Sequence, residues 1–101
     1  MKNRVYQLEN KNQFIIANET DKGTTNYTFQ SYDSIIANFN EGTQELILGY
    51  YWDYSKTTSK HLYIFMYQYC NFNDILSVKN KRKYINDLIA KGKIKYCENL
   101  K

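Results

Sequence analysis

Residues 55–69 read SKTTSKHLYIFMYQY, and the spacing of apolar side chains in this stretch decides the fold. One stripe recurs at helical intervals and consists of Thr58, Leu62, Phe65, Met66 and Tyr69. Residues spaced by three, four or seven positions share one face of an α-helix. Ser55 or Thr57 can supply the oxygen that caps the first turn. We therefore predict an amphipathic helix over about residues 57–69.

The chain before this helix has the composition of β-strands. Short runs rich in β-branched and aromatic residues predict strands at Val5–Leu8, Gln13–Ala17, Asn26–Gln30, Ser34–Phe39 and Glu45–Tyr51. Turn-forming residues separate these runs at Glu9–Asn12, Asp21–Thr25 and Asn40–Thr43. Gly42 is expected to take a positive φ at the tip of the last hairpin. The pattern favours an antiparallel meander or a set of hairpins.

The chain after the helix predicts shorter elements. Asn73 is a good cap for a short helical turn that continues to Val78. A further helix is expected over about Lys81–Ala90, with Gly92 as its end. The alternating run Lys93–Cys97 predicts a strand that returns to the edge of the sheet.

These elements predict an α+β fold in a single domain over residues 1–101. A small N-terminal antiparallel sheet packs against two or three C-terminal helices, with a possible C-terminal edge strand. Six side chains are expected to be buried between the layers: Leu62, Phe65, Met66, Ile85, Leu88 and Ile89. Trp52 is expected to join the sheet to the first helix.

Composition excludes several classes of protein. Of the 101 residues, 43% are hydrophobic, 17% are aromatic and none is Pro, which argues against disorder and Pro-rich linkers. No apolar run approaches the ~20 residues of a membrane helix. Met1–Leu8 lacks the apolar stretch of a secretory signal. We expect a protein of the cytoplasm with no membrane partner.

Charge divides the chain into two unlike parts. Residues 1–55 contain four Lys or Arg and seven Asp or Glu, a net charge of −3. Residues 56–101 contain ten Lys or Arg and three Asp or Glu, a net charge of +7. Basic groups gathered on one surface attract nucleic acid or an acidic protein surface. A solvated basic face without a partner is the alternative.

Residues with catalytic or metal-binding chemistry are sparse. His61 is the only His, and its neighbours in sequence include no carboxylate to orient it as a general base. Cys70 and Cys97 are far apart and do not form a zinc pattern, and the cytoplasm favours reduced thiols. No Gly-rich phosphate loop is present. We expect no enzymatic activity, no cofactor and no metal.

Two groups of residues are candidate binding sites. The first is a possible anion site at the start of the predicted helix, formed by Lys56, Thr57, Thr58 and Lys60. Helix capping alone also explains these hydroxyls. The second is a basic patch for a protein or nucleic acid, formed by Lys79, Lys81, Arg82, Lys83, Lys91, Lys93 and Lys95. The apolar face of the second helix would turn Arg82 and Lys83 toward water.

Several blocks together resemble a family of small uncharacterised proteins from phages, prophages and other mobile elements of low-GC Gram-positive bacteria. The blocks are Phe29–Ala37, Leu48–Gly49, Trp52–Phe65, Lys79–Lys83 and Ile85–Ile94. The tryptophan-to-phenylalanine block, WDYSKTTSKHLYIF, carries most of the resemblance because it keeps order and spacing over 14 positions. The resemblance implies a mobile-element origin and no established reaction.

Small mobile-element proteins without enzyme motifs are often inhibitors of host defence. We therefore expect a non-enzymatic, anti-CRISPR-like protein that binds a host defence protein or nucleoprotein stoichiometrically, in the bacterial cytoplasm. Abundant Tyr suits such a role, because Tyr provides a large contact area at low entropic cost. The alternative is an accessory or regulatory protein of the mobile element that contacts RNA or DNA directly.

Overall fold

The computed structural model describes residues 3–7, 12–53, 55–98 and 100. Within these described residues, six strands and two helices follow one another. Their bounds are β1 Asn3–Gln7, β2 Gln13–Glu19, β3 Thr25–Ser31, β4 Ser34–Asn40, β5 Glu45–Gly49, α1 Lys56–Tyr69, α2 Lys81–Ala90 and β6 Lys95–Cys97. The predicted α+β fold, with its strands before its helices, is confirmed.

All six strands belong to one sheet, in the order β1-β2-β3-β4-β5-β6. The pairings from β1 to β5 are antiparallel, as expected for a meander, and β6 pairs with β5 in parallel. A parallel neighbour needs a crossover, and the segment that contains α1 and α2 provides it. The predicted C-terminal edge strand is therefore confirmed.

The turn between β4 and β5 differs from the prediction in the residue that takes a positive φ. Positive φ in the β4–β5 turn occurs at Gln44 and not at Gly42. The Asn40 side chain closes this turn by accepting hydrogen bonds from the backbone N–H of Gly42 and Thr43. Gly42 instead leaves room for a neighbour, because a Cβ there would lie 3.2 Å from Thr24 Cγ2.

Strand β5 also ends earlier than predicted. It stops at Gly49, and the N–H of Trp52 donates to the Gly49 carbonyl to close a turn. Tyr50 and Tyr51 therefore leave the sheet and lie on the surface. Leu8 and most of the predicted turn Glu9–Asn12 lie outside the described residues.

Helix α1 begins and packs as its spacing predicts. Ser55 is the N-cap, and its hydroxyl accepts a hydrogen bond from the N–H of Thr58. One face packs on β2, β3 and β4, and its buried residues are Thr58, His61, Leu62, Phe65 and Met66. Tyr69 continues the same face, with its ring 4.8 Å from the ring of Tyr27.

The short helical turn predicted from Asn73 to Val78 does not form a helix. Residues 73–77 form turns, in which Ile75 donates to the Phe72 carbonyl and Ser77 to the Asp74 carbonyl. Ile75 is nevertheless fully buried, so the apolar pattern there reflects packing and not a third helix. In the part of the chain that the structure describes, the α-helices number two.

Helix α2 has the predicted bounds. The Asn80 side chain caps its start by accepting from the N–H of Lys83. At its end Gly92 has φ +76, with Gly92 N–H bonded to the Ile89 carbonyl and Lys93 N–H to that of Leu88. This pair of bonds is the Schellman motif, in which glycine takes the left-handed position without steric cost.

The core lies between the sheet and the helices. Six side chains are predicted to be buried, and four of them are: Leu62, Phe65, Met66 and Ile85. Leu88 and Ile89 are only partly buried and pack against the core from its margin. Trp52 is 5% exposed and belongs to the same cluster, as predicted. Neither described helix is long and apolar enough to cross a membrane.

Candidate binding site: a basic cleft and a tyrosine groove

A cleft of about 770 Å³ opens between the starts of α1 and α2, and four cationic side chains line it. Lys56 and Lys60 come from successive turns of α1, and Lys81 and Arg82 from the first turn of α2. Its other lining residues are Asp53, Ser55, Ser59, Tyr63, Ile64 and Leu76. We call this cavity the basic cleft. Its four cations face a single carboxylate, so it suits an anionic ligand.

Two residues that line the basic cleft, Arg82 and Asp53, form an ion pair. The Arg82 Nη2 to Asp53 Oδ2 distance is 2.7 Å, and the two side chains are 68% and 27% exposed. Exposed ion pairs contribute about 0–1 kcal/mol, since water competes for both partners. Arg82 can therefore exchange this carboxylate for an anionic ligand at low cost.

Lys81 is held in place more firmly than the other lysines of the cleft. Its ammonium group donates to the Val78 carbonyl at 2.9 Å and lies 5.9 Å from the centre of the Tyr63 ring. The side chain is partly buried, whereas Lys56 and Lys60 are exposed. Among the described residues, neither Lys56 nor Lys60 has an ion-pair partner. Their charges are thus available to a ligand.

A second cavity of about 700 Å³ adjoins the basic cleft and shares Asp53 and Arg82 with it. Most of its wall consists of four aromatic side chains, Tyr50, Tyr51, Trp52 and Tyr96. Asn86 and Ile89 complete the wall. We call this cavity the tyrosine groove. Tyr50, Tyr51 and Tyr96 are each about half exposed. The rings of Tyr50 and Tyr51 meet edge to face, with their centroids 5.0 Å apart. Partial desolvation and, less strongly, the charge of Glu98 raise the pKa of Tyr96.

The tyrosine groove is the part of the site that sequence reasoning missed. The sequence predicts a strand as far as Tyr51, a packing role for Trp52 and an edge strand that contains Tyr96, and none of these expectations points to a groove. The aromatic run YYW was the available signal. Only the pairing of β6 beside β5 brings Tyr96 to the same groove.

The structure joins two candidate sites that the sequence kept separate. Lys56 and Lys60 of the possible anion site share one cleft with Lys81 and Arg82 of the basic patch. Thr57 and Thr58, the other two residues of the possible anion site, are not among the residues that line the cleft. The Thr58 hydroxyl is buried and bonded to Ser31 and Ser55. Ser55 and Ser59 provide the hydroxyls of the cleft instead.

The remaining lysines of the basic patch lie elsewhere on the surface. Lys79, Lys83, Lys91 and Lys93 are exposed and are not among the residues that line the two cavities. Lys95 lies on β6, where its ammonium group pairs with Glu45 at 2.8 Å. These five lysines of the predicted basic patch therefore lie outside the basic cleft, and their role in binding stays a prediction.

His61 and the cysteines lie outside both cavities. His61 is 3% exposed, and its Nδ1–H donates to the Thr57 carbonyl at 2.8 Å. Cys70 is buried and Cys97 exposed, both are free, and burial raises the pKa of the Cys70 thiol. Within the described ranges, no three His, Cys, Asp or Glu side chains gather into a group that could hold a metal ion.

Comparison with known proteins places the chain in a family. No curated protein and no solved structure matches it. A family model, described as a family of unknown function, matches residues 1–87. The match takes in the sheet up to β5, helix α1 and every lining residue of the basic cleft. Because it covers most of the chain, the protein belongs to the family of unknown function DUF8033.

Proposed function

We propose that the protein is a non-enzymatic, anti-CRISPR-like inhibitor that binds a host defence complex stoichiometrically through the basic cleft. The observation that carries this proposal is the convergence of four cations from two helices beside exposed tyrosines. Cations complement the phosphates of a nucleoprotein or an acidic protein surface. Tyr and Arg are also the residue types enriched among the strongest contacts of protein interfaces.

The proposed setting is a phage or mobile element of a Gram-positive bacterium, with the protein in the host cytoplasm. Its support is the resemblance of the block Trp52–Phe65 and the basic run Lys79–Lys83 to proteins of such elements. The proposal of binding rather than catalysis is supported by the interior position of His61, away from both cavities.

A second candidate function is direct binding of RNA or DNA as an accessory protein of the element. The tyrosine groove favours it, because aromatic rings beside cationic side chains are what nucleic-acid bases and phosphates bind. The two functions share one site and differ in the molecule that occupies it.

Inhibition can be tested with reconstituted, guide-loaded CRISPR effectors and a labelled DNA or RNA target. We expect cleavage by a susceptible effector to fall with added protein and to reach its end point near one protein per complex. The variant Lys56→Glu/Lys60→Glu should lose inhibition, whereas the matched surface variant Lys91→Glu/Lys93→Glu should keep it. Failure of the parent protein to inhibit or bind any effector would overturn the proposal in favour of the accessory role.

The site itself can be tested by pulldown from host lysate with and without nuclease. Partners that the parent captures and the Lys56→Glu/Lys60→Glu variant loses would assign binding to the basic cleft. Equal capture by both proteins would refute the cleft as the binding site. Nuclease resistance of the capture would favour a protein partner, and nuclease sensitivity would favour the accessory role.

A further inference from the structure

We infer that the basic cleft and the tyrosine groove together bind one single-stranded nucleic acid, with phosphates in the cleft and a base in the groove. This inference rests on the proposed role of the basic cleft and names the ligand that the cleft recognises. The observation behind it is that the two cavities adjoin and share Arg82 and Asp53. On one side of this pair the lining is cationic, and on the other side it is aromatic.

The two cavities match the two chemical parts of a nucleotide strand. Phosphates need cations, which Lys56 and Lys60 offer without ion-pair partners among the described residues. Bases need flat apolar faces, which Tyr50 and Tyr96 offer at 55% and 44% exposure. Both volumes lie within the ~300–1,000 Å³ of small-ligand sites, so each has room for one such part.

The tyrosine groove favours a single strand over a duplex or an acidic peptide. In a duplex the bases are stacked on one another, and their faces are closed to a tyrosine ring. An acidic peptide would satisfy the cations of the basic cleft but has no flat base to lay against Tyr96. RNA and DNA single strands share the required chemistry, and the binding experiment distinguishes them.

Arg82 and Asp53 have opposite roles in this arrangement. Arg82 lies where the two cavities meet, so its guanidinium is placed to contact the phosphate between cleft and groove. Asp53 holds Arg82 at 2.7 Å in the free protein and presents a negative charge to the strand. The carboxylate therefore competes with the phosphate, and removing its charge should strengthen binding.

The first test is fluorescence anisotropy with the full chain and fluorescein-labelled 12-nucleotide probes of mixed sequence. Single-stranded RNA, single-stranded DNA, the corresponding duplexes and labelled polyglutamate are compared at several salt concentrations. We expect a single strand to bind at least tenfold more tightly than duplex and polyglutamate. Neutralisation of about two to four phosphates gives a log–log salt slope of about −1.4 to −2.8.

The second test uses variants that are expected to change the affinity for the single strand in opposite directions. Arg82→Gln should weaken binding of the single strand at least tenfold, and Asp53→Asn should strengthen it about threefold or more. Tyr96→Ala should weaken binding, whereas Tyr96→Phe should keep it because stacking needs the ring and not the hydroxyl. Tyr67→Ala is the matched control, since Tyr67 is equally exposed but does not line the groove. Thermal melting of each variant separates binding loss from unfolding.

Each outcome decides the inference. Duplex or polyglutamate binding as tight as the single strand would overturn it, as would unchanged affinity in both Asp53→Asn and Tyr96→Ala. If no strand binds while a nuclease-resistant partner is still captured through Lys56 and Lys60, the inference fails and the proposed function stands. If the charge-reversed protein captures that partner equally well, the basic cleft itself is refuted.

Discussion

The hydroxyl oxygens of Ser31 and Thr58 lie 3.0 Å apart in the interior, so the end of β3 is bonded to the first turn of α1. Ser55 extends this contact by donating to Thr58 Oγ1 at 3.1 Å while it caps the helix. The three hydroxyls thus fix the start of α1 against the sheet. Lys56 and Lys60, which line the basic cleft, lie on the same two turns of α1.

Replacement of Thr58 by Val tests this link. Val keeps the shape of Thr but removes the hydroxyl and leaves Ser31 Oγ buried without its partner, which costs about 1–3 kcal/mol. We expect the free energy of unfolding in urea to fall by that amount. Thr57→Val is the matched control on the neighbouring, partly buried side chain and should change stability by less than about 0.5 kcal/mol. Equal effects in the two variants would contradict the link.

Trp52→Ala should destabilise the protein by about 3–5 kcal/mol, because the indole is packed in the core and its removal leaves a cavity. Chemical or thermal unfolding measures the loss. Tyr50→Ala, two residues earlier and 55% exposed, should change stability by no more than about 0.5 kcal/mol. If Trp52→Ala melts like the parent but loses its partner, Trp52 is an interface anchor instead.

Charge reversal of Lys81, Arg82 and Lys83 to Glu should weaken the partner complex at least tenfold, about 1.4 kcal/mol. Reversal of the exposed Arg82 and Lys83 should change the melting temperature little, since an exposed ion pair adds about 0–1 kcal/mol. Reversal of Lys81 also removes its hydrogen bond to the Val78 carbonyl, which costs about 0.5–1.5 kcal/mol. Single variants refine this expectation: Arg82→Glu should account for a large share of the loss, and Lys83→Glu for little, as Lys83 does not line the basic cleft. Titration calorimetry or anisotropy gives the affinities.

A triple variant that binds and inhibits as well as the parent would show that these basic residues only interact with water. The acidic surface at Asp33, Glu41 and Glu45 would then be the next region to mutate. Of these, Glu45 already pairs with Lys95, so Asp33 and Glu41 would be changed first.

The two cysteines should differ sharply in reactivity. Cys97 is exposed, whereas Cys70 is buried and burial raises the pKa of its thiol far above 9.0. We expect a thiol reagent at pH 8 to modify one cysteine in the folded protein and two in urea. Mass spectrometry of the peptides identifies the site. Rapid modification of Cys70 in the folded state would show that the core around it opens.

The same burial has a consequence for stability at high pH. Because the folded state raises the pKa of Cys70, it holds the thiol proton more tightly than the unfolded state does. The resulting contribution to stability is complete below the unfolded pKa of about 9 and is lost as the pH rises above it. Cys70→Ala should therefore lose less stability than the parent between pH 8 and pH 10.5, measured by urea unfolding at each pH.

Most of the fold was predictable because its signals are local. The spacing of Leu62, Phe65 and Met66 identifies the buried face of α1, and Gly92 marks the end of α2 by its capping chemistry. Where one local signal competed with another, the prediction failed. Asn73 resembles a helix cap, yet the residues after it form turns around the buried Ile75.

The candidate site was less predictable because it is assembled by tertiary structure. Lys60 and Lys81 belong to different helices, and nothing in their sequence spacing shows that they line one cleft. The same holds for Tyr50 and Tyr96, which the pairing of β5 with β6 brings together. A single sequence identifies the charged and aromatic groups but not which of them become neighbours.

The parallel pairing of β6 with β5 also orders the steps of folding. Strands β1 to β5 each pair with their neighbour in sequence and close only short loops, whereas Ile47 meets Lys95 only after a loop with both helices has closed. We therefore expect β6, whose three residues are all exposed, to dock last and to open first in native-state hydrogen exchange. Opening of this strand alone would remove Tyr96 from the tyrosine groove and leave the meander folded.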